Sequence, residues 1–155
     1  DIPAKDDTLI VFDINLRQDF FYPELLKNSI RRCNILKIND DELMILGKIF
    51  ELTETSAEEL CRQILIEYNL KILILTCGIN GSYVFTKDNM YFQPTPEVEV
   101  ADTVGAGDSF TAAFIASLLI GKTIPQAHST AVRTSAYVCS QNGAMPVLPD
   151  NIIHE

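Results

Sequence analysis

The sequence predicts an α/β protein, a mostly parallel sheet flanked by helices with an antiparallel hairpin inserted late in the chain. Three observations carry this. Short continuous apolar runs at residues 8–12 (TLIVF), 34–38 (NILKI) and 71–76 (KILILT) alternate with stretches of helical spacing, the pattern of parallel β-α-β units covered on both faces. That alternation stops at Cys77, after which Asn80-Gly81 sits between two runs of strand composition. Beyond it, two further helical stretches are separated by Gly121 and Pro125.

The elements follow in order. Residues 8–12 form a first strand, and Pro23 opens a helix to about residue 32, because its fixed φ and missing N–H suit a first turn. Residues 34–38 form the second strand. Residues 40–52 then place Leu43, Met44, Leu46, Ile49 and Phe50 at helical spacing. Ser56 with Glu59 forms a capping box that opens a third helix to about residue 68. Residues 71–76 are a buried strand. Asn80-Gly81 marks a tight hairpin turn between ILILT and SYVFT, and Asp88-Asn89 marks a second turn before MYFQ. Residues 97–108 (EVEVADTVGAGD) bring a strand to a small-residue turn, and residues 109–120 and 126–140 are two helices. No repeat or linker interrupts the chain, so one domain over residues 1–155 is expected.

Composition sets limits on function. The 155 residues are 47% hydrophobic, enough for one core, which argues against disorder. Twelve Lys and Arg against 21 Asp and Glu give a net charge of −9, and no basic cluster stands out. Such a surface repels nucleic acid and anionic lipid. The longest nearly apolar run, residues 110–120, is far shorter than the roughly 20 residues that cross a bilayer. The opening DIPAKDDT lacks the regions of a secretory signal. Cys33, Cys61, Cys77 and Cys139 are scattered singly, as reduced thiols are, so cytoplasm is the expected compartment.

The stretch that carries most chemistry is residues 102–110, DTVGAGDSF. Small residues at the mouth of an apolar helix let backbone approach an anion. Free N–H groups of Gly105, Ala106 and Gly107, with the helix dipole, would stabilise developing phosphoryl charge. Asp108 at the same helix start could accept a proton from an attacking hydroxyl. The same residues also suit a plain strand-to-helix turn, with glycines for conformation and Asp108 as a dipole partner. Neither G-x-G-x-x-G nor a Walker loop is present.

DTVGAGDSF resembles the C-terminal signature of the ribokinase-like, or PfkB-type, carbohydrate kinases. KINDDE (residues 37–42) is similar to that family's N-x-x-E element, and TCGING (residues 76–81) to its T-x-G-x-x-G nucleotide strand and turn. FDINLR (residues 12–17) resembles the D-x-N-x-R segment of its fructokinase-like branch. The resemblance implies a three-layer α/β/α ribokinase-like fold and ATP-dependent phosphorylation of a sugar hydroxyl, most like a fructokinase. Asp108 is then the base, and the amides of Gly105, Ala106 and Gly107 are the anion hole. Asn39 and Glu42 are implied to organise Mg²⁺ through water around the ATP phosphates. Thr76, Gly78 and Gly81 would pass beside the nucleotide, and Asp13, Asn15 and Arg17 would lie near the sugar.

Structural readings stand beside these. Asn39 with Glu42 is also an ordinary capping box, Thr76 to Gly81 also a strand end and turn, and Asp13, Asn15 and Arg17 also a solvated loop. His128 and His154 match no motif and are expected on the surface. NGAMPVLP (residues 142–149) resembles the family's loop beside a monovalent cation. Asp102 and Gly143 would serve K⁺ there, whereas Val104 and Val147 offer no side-chain oxygen.

Family members are longer and carry a glycine-rich N-terminal signature and a small β-sheet lid that nothing in this chain resembles. The chain is therefore expected to be the C-terminal half, with its sugar and ATP as partners, inactive alone, and with homo-oligomerisation left open. The alternatives are a kinase of another small alcohol, such as 2-keto-3-deoxygluconate or a nucleoside, and a noncatalytic nucleotide-binding module. An intact Asp108 argues against the last.

Overall fold

A computed structural model describes residues 8–16, 21–52 and 56–153. Its elements are β1 (Val11–Asp13), α1 (Pro23–Ile30), β2 (Ile35–Asn39), α2 (Asp40–Ile49), α3 (Ala57–Glu67), β3 (Ile72–Thr76), β4 (Ser82–Phe85), β5 (Met90–Gln93), α4 (Ala106–Leu119), α5 (Ile124–Cys139) and α6 (Asp150–Ile153). The five strands form one sheet in the order β1-β2-β3-β4-β5. β1, β2 and β3 pair in parallel, with Asp13 opposite Lys37 and Asn39 opposite Thr76. The connections into β4 and β5 are too short for a parallel crossover, so these strands turn back as the sequence predicts.

The chain divides into two compact units, one of residues 1–77 and 83–90, the other of residues 78–82 and 91–155. In the first, Leu36, Ile38, Leu73 and Leu75 alternate along β2 and β3 and so share one sheet face. They join Leu26 and Ile30 of α1, Leu43 and Leu46 of α2, and Leu60, Cys61 and Ile64 of α3 in one cluster. Ile35, Ile72 and Ile74 on the opposite face are buried too, which is why these strands read as unbroken apolar runs. Arg62 of α3 lies over the Phe85 ring, 5.7 Å from its centroid. In the second unit α4 and α5 pack together, and Ser135 of α5 donates to the Ala106 carbonyl at 3.0 Å, tying down the start of α4.

The helix starts follow local chemistry. Pro23 occupies the first turn of α1. Asn39 and Glu42 form a reciprocal capping box on α2. At α3 the Ser56 hydroxyl accepts the Glu59 N–H but donates to the Glu59 carboxylate, so the return bond of a full box is missing. Met44, placed among the apolar positions of α2, is 59% exposed.

Four expectations are corrected. Residues 8–12 yield a strand only from Val11 to Asp13. Asn80-Gly81 is not a two-residue turn, because a type I′ turn needs positive φ at both positions and among the described residues Asn80 is not one of those with it. A 3₁₀ turn at Gly78–Asn80 makes the connection instead. Residues 97–100 are not a strand: Val98 and Val100 stay exposed, and the N–H groups of Ala101 and Asp102 both turn to the Cys139 carbonyl. His128 is not on the surface but wholly buried, its Nε2 2.7 Å from the Ser82 hydroxyl and its ring edge-on to Phe110. Residue 154 lies outside the described residues.

All four cysteines are free thiols. Burial pushes Cys33 up to about 11 and Cys61 to about 12, so neither is a thiolate at neutral pH. Among the described residues no helix is long and apolar enough to cross a membrane.

Candidate active site

The first unit brings one set of the predicted residues to the carboxyl ends of its parallel strands. Asp13 ends β1, Asn39 ends β2 and Thr76 ends β3. Ligands of open α/β sheets collect at this edge. Thr76 is half-buried, and among the described residues its hydroxyl makes one long bond, 3.4 Å, to the Ile38 carbonyl. Asn15 follows β1 with φ +48° and is exposed. Arg17 lies outside the described residues.

Glu42 is 4% exposed, and both of its carboxylate oxygens accept backbone hydrogen bonds. One carboxylate oxygen accepts the Leu16 N–H at 2.8 Å and the other the Asn39 N–H at 2.8 Å. One lone pair remains on each oxygen, and burial holds both away from solvent. Mg²⁺ keeps several waters and takes most other oxygens from phosphates, so the Asn39–Glu42 corner fits only an ion reached through water. Among the described residues no group of three metal-ligating side chains forms a closed cage, and such an ion needs none.

The sequence reading missed Lys37. It sits mid-strand in β2, 6% exposed, with Nζ 3.1 and 2.9 Å from the two Asp13 oxygens. A Lys flanked by Leu36 and Ile38 in a buried run is itself a signal, since a buried ammonium must find a carboxylate.

The second unit holds the other set. Gly105 caps α4 with φ +81°, and a Cβ there would come 2.7 Å from the Ala144 carbonyl oxygen. The small-residue loop of residues 142–149 thus packs directly on the turn. The Ala106 N–H is not free as expected, because it donates to the Thr103 carbonyl at 3.3 Å. Ser109 makes the first bond of helical spacing, to Gly105 at 2.8 Å, which leaves the N–H groups of Gly105, Gly107 and Asp108 without partners among the described residues. The amide of Asp108 is the donor that motif reading overlooked. The Asp108 side chain lies exposed in the first turn of α4.

Gly78 and Gly81 differ. Gly81 (φ +96°) is buried, and a Cβ would lie 2.6 Å from both the Gln93 carbonyl oxygen and the Phe92 ring. Gly78 (φ +54°) faces open space, so a ligand can approach its backbone. The Asp102 carboxylate accepts the N–H groups of Val104 at 3.0 Å and Gly143 at 3.3 Å. Gly143 thus meets Asp102 through its N–H. Of the two, only Asp102 has a side-chain oxygen to offer K⁺.

One open cavity of about 620 Å³, lined by Arg31, Asn34, Tyr68, Lys71 and Lys87 among others, lies at the amino ends of β2 and β3. It includes none of the candidate residues.

Residues 3–151 match the description "pfkB family carbohydrate kinase". The chain belongs to this family. An aminoimidazole riboside kinase from Salmonella typhimurium is 29% identical over 90% of the chain and 45% of its own length. A probable fructokinase-2 from Arabidopsis thaliana is 28% identical over 96% of the chain and 47% of its own length. The chain therefore spans about half the length of the curated relatives it matches.

A solved aminoimidazole riboside kinase from Salmonella enterica, in complex with aminoimidazole riboside and an ATP analogue, matches with a TM-score of 0.76. It is 26% identical, over 93% of this chain and 50% of that one. A solved E. coli protein described as a ribokinase II, in complex with ATP and Mg²⁺, matches with a TM-score of 0.73 at 23% identity, over 88% of this chain and 44% of that one. The pfkB resemblance and the ribokinase-like α/β fold are both borne out. The family relatives span sugar and nucleoside kinases.

Proposed function

We propose that this chain is the nucleotide-binding and catalytic portion of a kinase that transfers the γ-phosphoryl group of ATP to a sugar hydroxyl, fructose-like in its acceptor. The observation that carries the reading is the start of α4, where an exposed Asp108 adjoins three N–H groups that have no partner among the described residues. Those of Gly105, Gly107 and Asp108, with the helix dipole, donate to charge developing on the transferred group, while Ala106 keeps the turn closed. Asp108 accepts the proton of the attacking hydroxyl. An Asp beside a helix N-terminus is a weak base, which suffices when the transition state is loose and the proton leaves late.

Thr76, Gly78 and Gly81 form the nucleotide set, with Gly78 offering open backbone and Gly81 fixing the turn. Asp13 and Asn15 face the acceptor. Asn39 and Glu42 would hold Mg²⁺ through water, and the ion would supply positive charge to the ATP phosphates.

The test is Asp108→Asn in the active enzyme that carries this chain. Turnover should fall about 10² to 10⁴-fold with ATP affinity nearly unchanged. Near-wild-type turnover would remove Asp108 from the mechanism. A second reading, a nucleoside-type acceptor such as aminoimidazole riboside, is favoured by the first of the two relatives described above. Comparing kcat/KM for fructose and for a riboside decides between them.

A further inference from the structure

The segment assigned to the acceptor is held at both ends by buried charged side chains, those of Lys37 and Glu42. At one end, Lys37 Nζ bonds both Asp13 oxygens, at 3.1 and 2.9 Å, across the β1–β2 register. At the other, Glu42 accepts the Leu16 N–H at 2.8 Å, while its second oxygen is fixed by the Asn39 N–H. In between, the Ile14 N–H donates to the Lys37 carbonyl at 3.2 Å. Lys37 and Glu42 are 6% and 4% exposed, and the one outward-facing residue they bracket, Asn15, holds a left-handed φ of +48°.

A buried ion pair adds little to stability compared with apolar residues of the same volume, so folding alone does not call for Lys37. What the ties do secure is a single backbone path from Asp13 to Leu16. Asparagine tolerates the left-handed region better than other side-chain-bearing residues, so Asn15 can point outward at little cost.

We propose that Lys37 and Glu42 are positioning residues that pre-order the Asp13–Leu16 segment and so present Asn15 to the acceptor alcohol. Glu42 acts here through its hold on the Leu16 amide, apart from any water-mediated contact with metal. The inference rests on the sugar-kinase reading, which brings the acceptor to Asp13 and Asn15. A segment ordered before binding does not lose that freedom when the acceptor arrives, so loosening it weakens acceptor binding and spares the nucleotide.

The experiment uses the active enzyme that carries this chain, with Lys37→Met, Lys37→Arg and Glu42→Gln variants, and hydrogen exchange at the Leu16 amide. The expected result is an acceptor KM raised about tenfold or more in Lys37→Met and Glu42→Gln. In Lys37→Met the KM for ATP and the half-saturating Mg²⁺ should stay within about twofold, with Lys37→Arg near the parent, while Glu42→Gln should raise the half-saturating Mg²⁺ in addition to the acceptor KM. The Leu16 amide should be protected in the parent and less protected in Glu42→Gln, where one acceptor oxygen must serve the two N–H groups that the carboxylate held. An unchanged acceptor KM, or a Glu42→Gln effect confined to the Mg²⁺ requirement, overturns the proposal. An unprotected Leu16 amide in the parent overturns it without any variant having to fold. A parent with a protected Leu16 amide that phosphorylates no sugar or riboside overturns the kinase reading and this role with it, and the amide distinguishes that failure from the others.

Discussion

Gly105 and Gly121 both turn the chain with a positive φ, +81° and +86°, yet their surroundings differ. A methyl on Gly105 meets Ala144 atoms at 2.7 to 2.9 Å, whereas Gly121 has nothing within 4 Å. Gly121→Ala should therefore cost about 1 kcal/mol, the backbone penalty alone, and Gly105→Ala about 2–4 kcal/mol, since steric overlap adds to it. Urea denaturation of the two variants checks the difference, and Ala144→Gly should restore part of the Gly105→Ala loss.

His128 makes a second prediction at this scale. Burial lowers its pKa from 6.5 to about 4. Between those values the unfolded chain binds a proton that the native state does not, so stability rises with pH across the window and falls as pH drops through it. The slope from this group approaches about 1.4 kcal/mol per pH unit. The wild-type urea midpoint should accordingly fall further between pH 7 and pH 4.5 than that of His128→Gln. Equal pH dependence in the two would deny the shift.

The helix starts repeat this contrast between similar motifs in different surroundings. Asn39 and Glu42 exchange both bonds of a capping box in a half-buried corner, while Ser56 makes one exposed backbone bond and spends its hydroxyl on the Glu59 carboxylate. Ser56→Ala should cost about 1 kcal/mol and Asn39→Ala up to about 2 kcal/mol. Asn39→Ala should also loosen Glu42 and expose the Leu16 amide, which Ser56→Ala leaves protected. Denaturation and hydrogen exchange on both variants check this. Both caps were legible as residues in sequence order, Asn39 to Glu42 and Ser56 to Glu59. That Glu42 also reaches Leu16 was not, because nothing in local spacing joins residues 26 apart.

For the whole chain, the division into two units crosses between Cys77 and Gly78, and again inside β4 and β5. The chain spans about half the length of its curated relatives. Positioning and water exclusion govern phosphoryl transfer, so the 155-residue polypeptide alone should bind ATP weakly and not phosphorylate fructose. A coupled assay on a mass-verified sample checks this, and ordinary sugar-kinase turnover from that sample would overturn it. By itself the sequence determined the alternation of strands and helices, the caps, the late hairpin and the DTVGAGDSF turn, since periodicity, capping and turn chemistry reside in neighbouring residues. Only the tertiary structure decided that Lys37 pairs with Asp13, 24 residues away, and that His128 is buried against Ser82, 46 residues away. It also decided that residues 97–100 join no strand among the described residues. Burial and pairing depend on which distant segments the fold brings together, and a strand exists only when its backbone finds another strand to bond.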